Sequence, residues 1–108
     1  MVFNTGAALL DAITLAVVNQ DEAGTYGYKI TQEVRSVLDV SESTLYPVLR
    51  RLQKNGYLEI YDQECAGRNR RYYKLTQEGS HQLSEYKKEW KEYSMKVSKI
   101  FEGGYNGE

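Results

Sequence analysis

The chain of 108 residues has a formal net charge of −1, with 41% hydrophobic and 27% charged residues. This balance indicates one soluble globular domain with a single core and excludes an intrinsically disordered protein. The single cysteine, Cys65, excludes an internal disulfide.

The first predicted element is an amphipathic helix. Apolar residues recur at intervals of three and four from Leu9 to Val17, and the polar segment 19–25 ends the pattern. No basic residue precedes this stretch, and Asp11 and Thr14 interrupt it, so it fits neither a signal peptide nor a membrane span. We therefore expect a cytoplasmic protein with no membrane partner.

Two further helices are predicted before the middle of the chain. The second covers about residues 26–38, and the third begins after the N-cap Ser41 and ends at Gly56. Pro47 lies inside the third helix, where a proline costs about 3 kcal/mol because it removes a backbone hydrogen bond. A bent first turn would relieve this cost; alternatively, Pro47 packs against the second helix.

A β-hairpin and a long helix complete the chain. Apolar and polar residues alternate around Leu58 and Leu75, with a loop at residues 63–69 between the two strands. The last helix follows the cap Thr76 and ends near Phe101. Its apolar residues form a heptad seam: Leu83, Tyr86, Trp90, Tyr93, Val97 and Ile100. This seam predicts a homodimer, unless the helix folds back on its own core.

Positive charge concentrates in the middle of the chain. Residues 50–74 carry seven basic and three acidic side chains. Three short helices followed by a hairpin are the order of a winged helix-turn-helix, whose third helix enters the major groove of DNA. The groups expected to contact DNA are Ser43, Thr44, Tyr46, Pro47, Arg50, Arg51, Lys54, Arg68, Arg70 and Arg71. The alternative is a solvated hairpin with scattered charges.

Two segments carry a family resemblance. TLYPVLRRLQKNGYL (residues 44–58) followed by GRNRRYYKLTQEG (residues 67–79) resembles the signature of PadR-type transcriptional regulators. Tyr26-Gly27-Tyr28 resembles the opening of that family's second helix. The resemblance implies a DNA-binding repressor that dimerises through its last helix. It also implies DNA contacts by Tyr46, Arg50 and the wing residues Gly67, Arg68 and Asn69.

The single C-terminal helix with its tryptophan resembles the small subfamily of multidrug-sensing repressors. In those relatives, paired tryptophans from two subunits sandwich a flat aromatic ligand. The resemblance therefore implies a site for a planar aromatic effector at Trp90, Ala8, Ala12 and Tyr93. Tyr86 and Tyr93 narrow this space, and simple packing of Trp90 in the seam is the alternative.

The remaining residues favour no enzyme. His81 has no second His or Cys at ligand spacing, so we expect no metal and no other cofactor. Neither an acid/base pair nor a nucleophile–His arrangement is recognisable, and a redox role for Cys65 stays open. The sequence predicts a mainly α fold with a small β-hairpin: a winged helix-turn-helix over residues 1–75, then a dimerisation helix and tail over 76–108. A protein-interaction module without DNA contact is the competing function.

Overall fold

The computed structural model describes residues 6–103, with only the backbone of Cys65, and within them the chain forms four α-helices and three β-strands. The helices are α1 (Ala7–Asn19), α2 (Gly27–Arg35), α3 (Glu42–Lys54) and α4 (Gln77–Phe101). The strands are β1 (Thr25–Tyr26), β2 (Leu58–Cys65) and β3 (Arg68–Leu75), in an antiparallel sheet of order β1-β3-β2. The predicted winged helix-turn-helix with a long last helix is confirmed; the tail after residue 103 lies outside the described residues.

The core lies where α1, α2, α3 and the sheet meet. Leu15, Ile30, Leu49 and Leu52 are each at most 1% exposed, and full burial of such a side chain contributes about 1.5–3 kcal/mol. The opposite side of α3 is left to solvent. Within residues 6–103, every helix is too short or too polar to cross a membrane.

The third helix begins at the predicted cap. The Oγ of Ser41 accepts a hydrogen bond from the backbone N–H of Thr44 at 3.2 Å, and Gly56 takes a positive φ of 84° just after the last turn. The helix continues through Pro47, whose ring is exposed and is therefore not packed against α2 as one alternative required. The carbonyl of Ser43 loses its backbone partner to this proline, but Ser43 is exposed, so water reduces the cost.

The wing, formed by β2 and β3, is longer than predicted. Cys65 pairs with Arg68, so the loop predicted over residues 63–69 is wrong, and only Ala66 and Gly67 turn the chain. Both have positive φ, at 54° and 79°, as a type I′ turn requires. The outer wing residues are exposed, so the alternation that marks a half-buried strand is missing there.

The short strand β1 is not anticipated by the sequence. Thr25 pairs with Tyr73 and Tyr26 pairs with Tyr72, which joins the connection between α1 and α2 to the wing. Two residues are too few to produce a period-two pattern. The hairpin is therefore part of a three-stranded sheet. Helix α2 ends at Arg35, earlier than the predicted residue 38.

The first half of α4 packs against its own domain. Thr76 Oγ1 accepts a hydrogen bond from the N–H of Gly79 at 2.9 Å, as expected of a cap, and a Cβ at Gly79 would overlap the carbonyl oxygen of Tyr57. Leu83 is 4% exposed and belongs to the core, with Tyr86 packed against it. The assignment of Leu83 to a dimer seam is thus corrected: α1 covers this part of the helix, which folds back on its own core.

Candidate nucleic-acid interface

A groove opens between the exposed side of α3, the first turn of α2 and the base of the wing. We call it the arginine groove; its volume is about 410 Å³. The residues that line it are Tyr26, Gly27, Tyr28, Tyr46, Arg50, Arg70, Arg71 and Tyr73. Three of these are arginines and none is acidic, so the arginine groove favours an anionic partner although the whole chain carries a charge of −1.

The first turn of α2 adds to this positive potential. It contains no acidic residue, and its N-cap Tyr26 makes no side-chain cap hydrogen bond. The free N–H groups of a helix start attract phosphates. A Cβ at Gly27 would lie at ordinary van der Waals distances from the rings of Tyr46 and Tyr73, 3.4 Å from Cε1 of the former and 3.5 Å from Cε1 of the latter, so this turn lies directly beside α3 and β3.

Tyr73 on β3 is a buried residue in the lining of the arginine groove. Its pKa is raised chiefly because burial disfavours the phenolate; the positive charge of the nearby Arg71 guanidinium opposes that rise. Arg71 Nε lies 4.0 Å from Asp62 Oδ1 on β2, but both side chains are exposed, so this pair contributes little. Arg71 thus lies beside Tyr73 in the arginine groove while remaining accessible.

Aromatic contacts fix the base of the wing. The guanidinium carbon of Arg70 lies 4.5 Å from the centre of the Tyr26 ring, within the range of a cation–π interaction. Tyr72 meets Tyr26 edge-on at 5.7 Å and stacks on Tyr61 at 5.5 Å. The hydroxyl of Tyr61 donates to the carbonyl of Ala23. These contacts tie β1, β2 and β3 together directly beneath Arg70.

The structure places the predicted DNA contacts in two groups. Tyr46, Arg50 and Arg70 line the arginine groove, and so does Arg71. Those exposed outside it are Ser43, Thr44, Pro47, Lys54, Gly67, Arg68 and Asn69. Sequence reasoning gave Tyr26 and Tyr28 no role in this site, because β1, which joins the start of α2 to the wing, is too short to leave a pattern of its own.

Arg51 belongs to neither group. Its Nη1 and Nη2 donate to Asp11 Oδ2 and Oδ1 at 2.9 and 2.7 Å, and Asp11 is buried on α1. Burial raises the pKa of this carboxyl, and the Arg51 guanidinium opposes the rise. Successive residues of a helix point about 100° apart, so Arg51 faces α1 while Arg50 faces the arginine groove. The pairing with Asp11 therefore places Arg51 outside the arginine groove, and its predicted contact with DNA stays a prediction.

A second, apolar groove of about 280 Å³ lies between α1 and α4. The residues that line it are Leu9, Ala12, Ile13, Ala16, Leu83, Tyr86, Lys87 and Trp90. Ala12 and Trp90 are predicted ligand contacts; the Tyr93 ring is 6.2 Å from the Trp90 ring, and neither Tyr93 nor Ala8 is among the lining residues. Lys87 is the only charged group in this lining.

Comparisons with known proteins agree with this geometry. The model of the Transcriptional regulator PadR-like family matches residues 14–85. A Lysinibacillus sphaericus protein with the name Uncharacterized protein X is 35% identical over 99 residues, which cover 87% of this chain and 89% of the relative.

Solved structures show the same fold. The protein smu.1704 from Streptococcus mutans UA159 is 40% identical, with a TM-score of 0.88 and complete coverage, 100%, of both chains. A PadR-like transcriptional regulator from Bacillus cereus is 30% identical, with a TM-score of 0.78 over 86% of this chain and 91% of that one. Bacillus subtilis PadR in complex with operator DNA has a TM-score of 0.62 and 22% identity, over 72% of this chain and 46% of that chain.

Proposed function

Because this chain belongs to the PadR-like family of transcriptional regulators, we propose that it is a homodimeric repressor that binds a palindromic operator through α3 and the wing. The observation that carries this proposal is the arginine groove, in which three arginines from α3 and β3 converge without an acidic neighbour in the lining. A related fold solved on operator DNA, that of Bacillus subtilis PadR, supports it.

Each part of the arginine groove has a distinct task in this proposal. Arg50 projects from the exposed side of α3, where its two parallel N–H groups can bind the O6 and N7 of guanine or a phosphate. Arg70, which lies over the Tyr26 ring, and Arg71, which lies beside Tyr73 in the groove, contact phosphates. The start of α2 binds a further phosphate through its backbone N–H groups.

Dimerisation through the second half of α4 completes the proposal. Trp90, Ile100 and Phe101 are 44%, 58% and 83% exposed, and several large exposed apolar side chains on one half of a helix mark an interaction surface. A two-fold dimer presents two copies of α3, so its operator consists of two inverted half-sites about one helical turn, or roughly 10 base pairs, apart.

Selection of bound duplexes from a random pool tests DNA recognition and symmetry together. We expect a symmetric consensus sequence, bound more tightly than random duplex at moderate salt. Lys88→Ala is the control for substitutions of the groove arginines, because Lys88 is an exposed cation on α4 that lines neither groove. Equal binding of the selected and the random duplex by the wild-type protein would refute the proposal.

The apolar groove favours a second function, that of a sensor for planar aromatic compounds. Its lining is almost entirely apolar, with Trp90 at one end and Lys87 able to pair with an acidic substituent. Such an effector changes DNA affinity only if it prefers one geometry of the dimer.

Anilinonaphthalenesulfonate is a suitable probe for this sensor, because it is aromatic and its negative charge keeps it off DNA. We expect it to quench Trp90, the only tryptophan, and to weaken operator binding. Ala12→Leu fills the apolar groove and should abolish both effects. Quenching of Trp90 without any change in operator affinity would refute the sensor while leaving the repressor proposal intact.

A further inference from the structure

Helix α1 has two sides with different tasks. Leu9, Ala12, Ile13 and Ala16 line the apolar groove on one side. Asp11 lies on the core side with Leu15 and Val18, and it is buried with them. A carboxylate in such surroundings requires a specific partner, because burial of a charge is costly. Its partner is Arg51 on α3, forty positions along the chain.

The geometry of this ion pair fixes more than a distance. Nη1 of Arg51 donates to Oδ2 of Asp11 at 2.9 Å and Nη2 donates to Oδ1 at 2.7 Å, and two parallel bonds also fix the relative orientation of the two planes. The Asp11 side chain is 10% exposed and that of Arg51 is 44% exposed, so the buried carboxylate holds the guanidinium. Because Arg50 is the next residue on the same helix, the pair adds to the buried leucines of α3 in fixing the rotation at which Arg50 faces the arginine groove.

Stability alone does not account for the pair. A buried ion pair is weak evidence for stability, since desolvation can exceed the attraction between the charges. The pKa of Asp11 agrees with this view, because burial raises it by more than Arg51 lowers it. The burial of this carboxylate is therefore better explained by what it orients.

We propose that the Asp11–Arg51 pair is a positioning device: it holds α3 at the rotation that presents Arg50 to the operator, without touching DNA itself. This inference rests on the proposed function, in which α3 reads the operator. It makes Asp11 a positioning residue on a helix that contacts no base. In this proposal Arg51 orients α3 without touching DNA, whereas Arg50 contacts the operator, although both are exposed arginines on one helix.

Asp11→Asn tests the device, because the amide keeps the size of the side chain and removes the charge that holds Arg51. We expect operator affinity to fall about tenfold, comparable with the effect of one mismatched base pair. Binding to random duplex and the dependence of the logarithm of affinity on the logarithm of salt concentration should not change. If Asp11→Asn binds the operator as tightly as the wild-type protein and prefers it over random duplex to the same degree, this inference is overturned while the proposed function stands.

Arg51→Lys is the second deciding variant. Lysine keeps the positive charge but cannot form two parallel bonds, so we expect the same loss of discrimination as in Asp11→Asn, again with an unchanged salt slope. A phosphate contact by Arg51 would predict different results: full discrimination in Arg51→Lys, and a slope reduced by about 0.9 in Arg51→Gln. Either result overturns the inference. Failure of the wild-type protein to prefer its operator overturns the proposed function and this inference together, and circular dichroism verifies the fold of each variant.

Discussion

Removal of one or the other partner of the Asp11–Arg51 pair should have very different effects on stability. Arg51→Gln leaves the Asp11 carboxylate, 10% exposed, without its counter-charge. Breaking a buried pair in this way costs about 3–5 kcal/mol. Since the Arg51 side chain is 44% exposed, water replaces part of its contribution, and we expect the free energy of unfolding to fall by about 2 kcal/mol.

Asp11→Asn removes the buried charge itself. Burial already raises the pKa of Asp11 against the effect of Arg51, so the charged form gains nothing net from folding. The Arg51 guanidinium, now without its partner, is partly exposed and can be hydrated. We expect the free energy of unfolding to change by less than about 1 kcal/mol.

Urea unfolding of the two variants and the wild-type protein measures this asymmetry. The pH dependence of unfolding provides an internal check. Because the folded pKa of the Asp11 carboxyl is raised, this group contributes stability at low pH, and that contribution is lost as the pH rises through the raised pKa. In Arg51→Gln the pKa of Asp11 should rise further, since the guanidinium that lowered it is gone. The deficit of Arg51→Gln should therefore shrink as the pH falls through the raised pKa of Asp11. Equal losses in both variants, or a deficit independent of pH, would refute the reasoning.

Four other perturbations test the site and the fold. Arg50→Ala should weaken operator binding by about 1–3 kcal/mol in fluorescence anisotropy, with little effect on random duplex, whereas Lys88→Ala should change neither. Arg68→Ala at the wing tip should reduce the salt slope by about 0.9 for each phosphate that the wing no longer binds, and an unchanged slope would place this residue off the DNA. Ile100→Asp should shift the sedimentation coefficient from that of a dimer to that of a monomer at micromolar concentration. Gly79→Ala should lower the melting temperature, because its Cβ would overlap the Tyr57 carbonyl oxygen; a wild-type value would contradict that packing.

Features set by neighbouring residues could be predicted from the sequence. Ser41 and Thr76 act as helix caps because their hydroxyls reach an N–H only three residues away. The buried side of α3 follows from the spacing of its leucines, and that spacing also leaves Arg50 exposed.

Features that depend on distant partners could not be predicted in this way. Arg50 and Arg51 are chemically identical in the sequence, and only the arrival of Asp11 from α1 separates their roles. Leu83 continues a heptad pattern, yet α1 and the core cover it first. A periodic pattern specifies that a surface is to be buried, but the tertiary fold decides by what.

The pairing of Tyr26 with Tyr72 has a consequence for the kind of duplex that this protein accepts. The wing is joined by main-chain hydrogen bonds and by the Arg70–Tyr26 contact to the segment that begins α2, and these contacts restrict its movement relative to the helices. In the proposed complex they fix the distance between the groups that enter the major groove and those that contact the adjacent phosphates. In the proposed complex, DNA whose bases are correct but whose minor groove is too wide, or whose steps resist bending, would have to be deformed to fit, so we expect affinity to depend on duplex shape as well as on sequence.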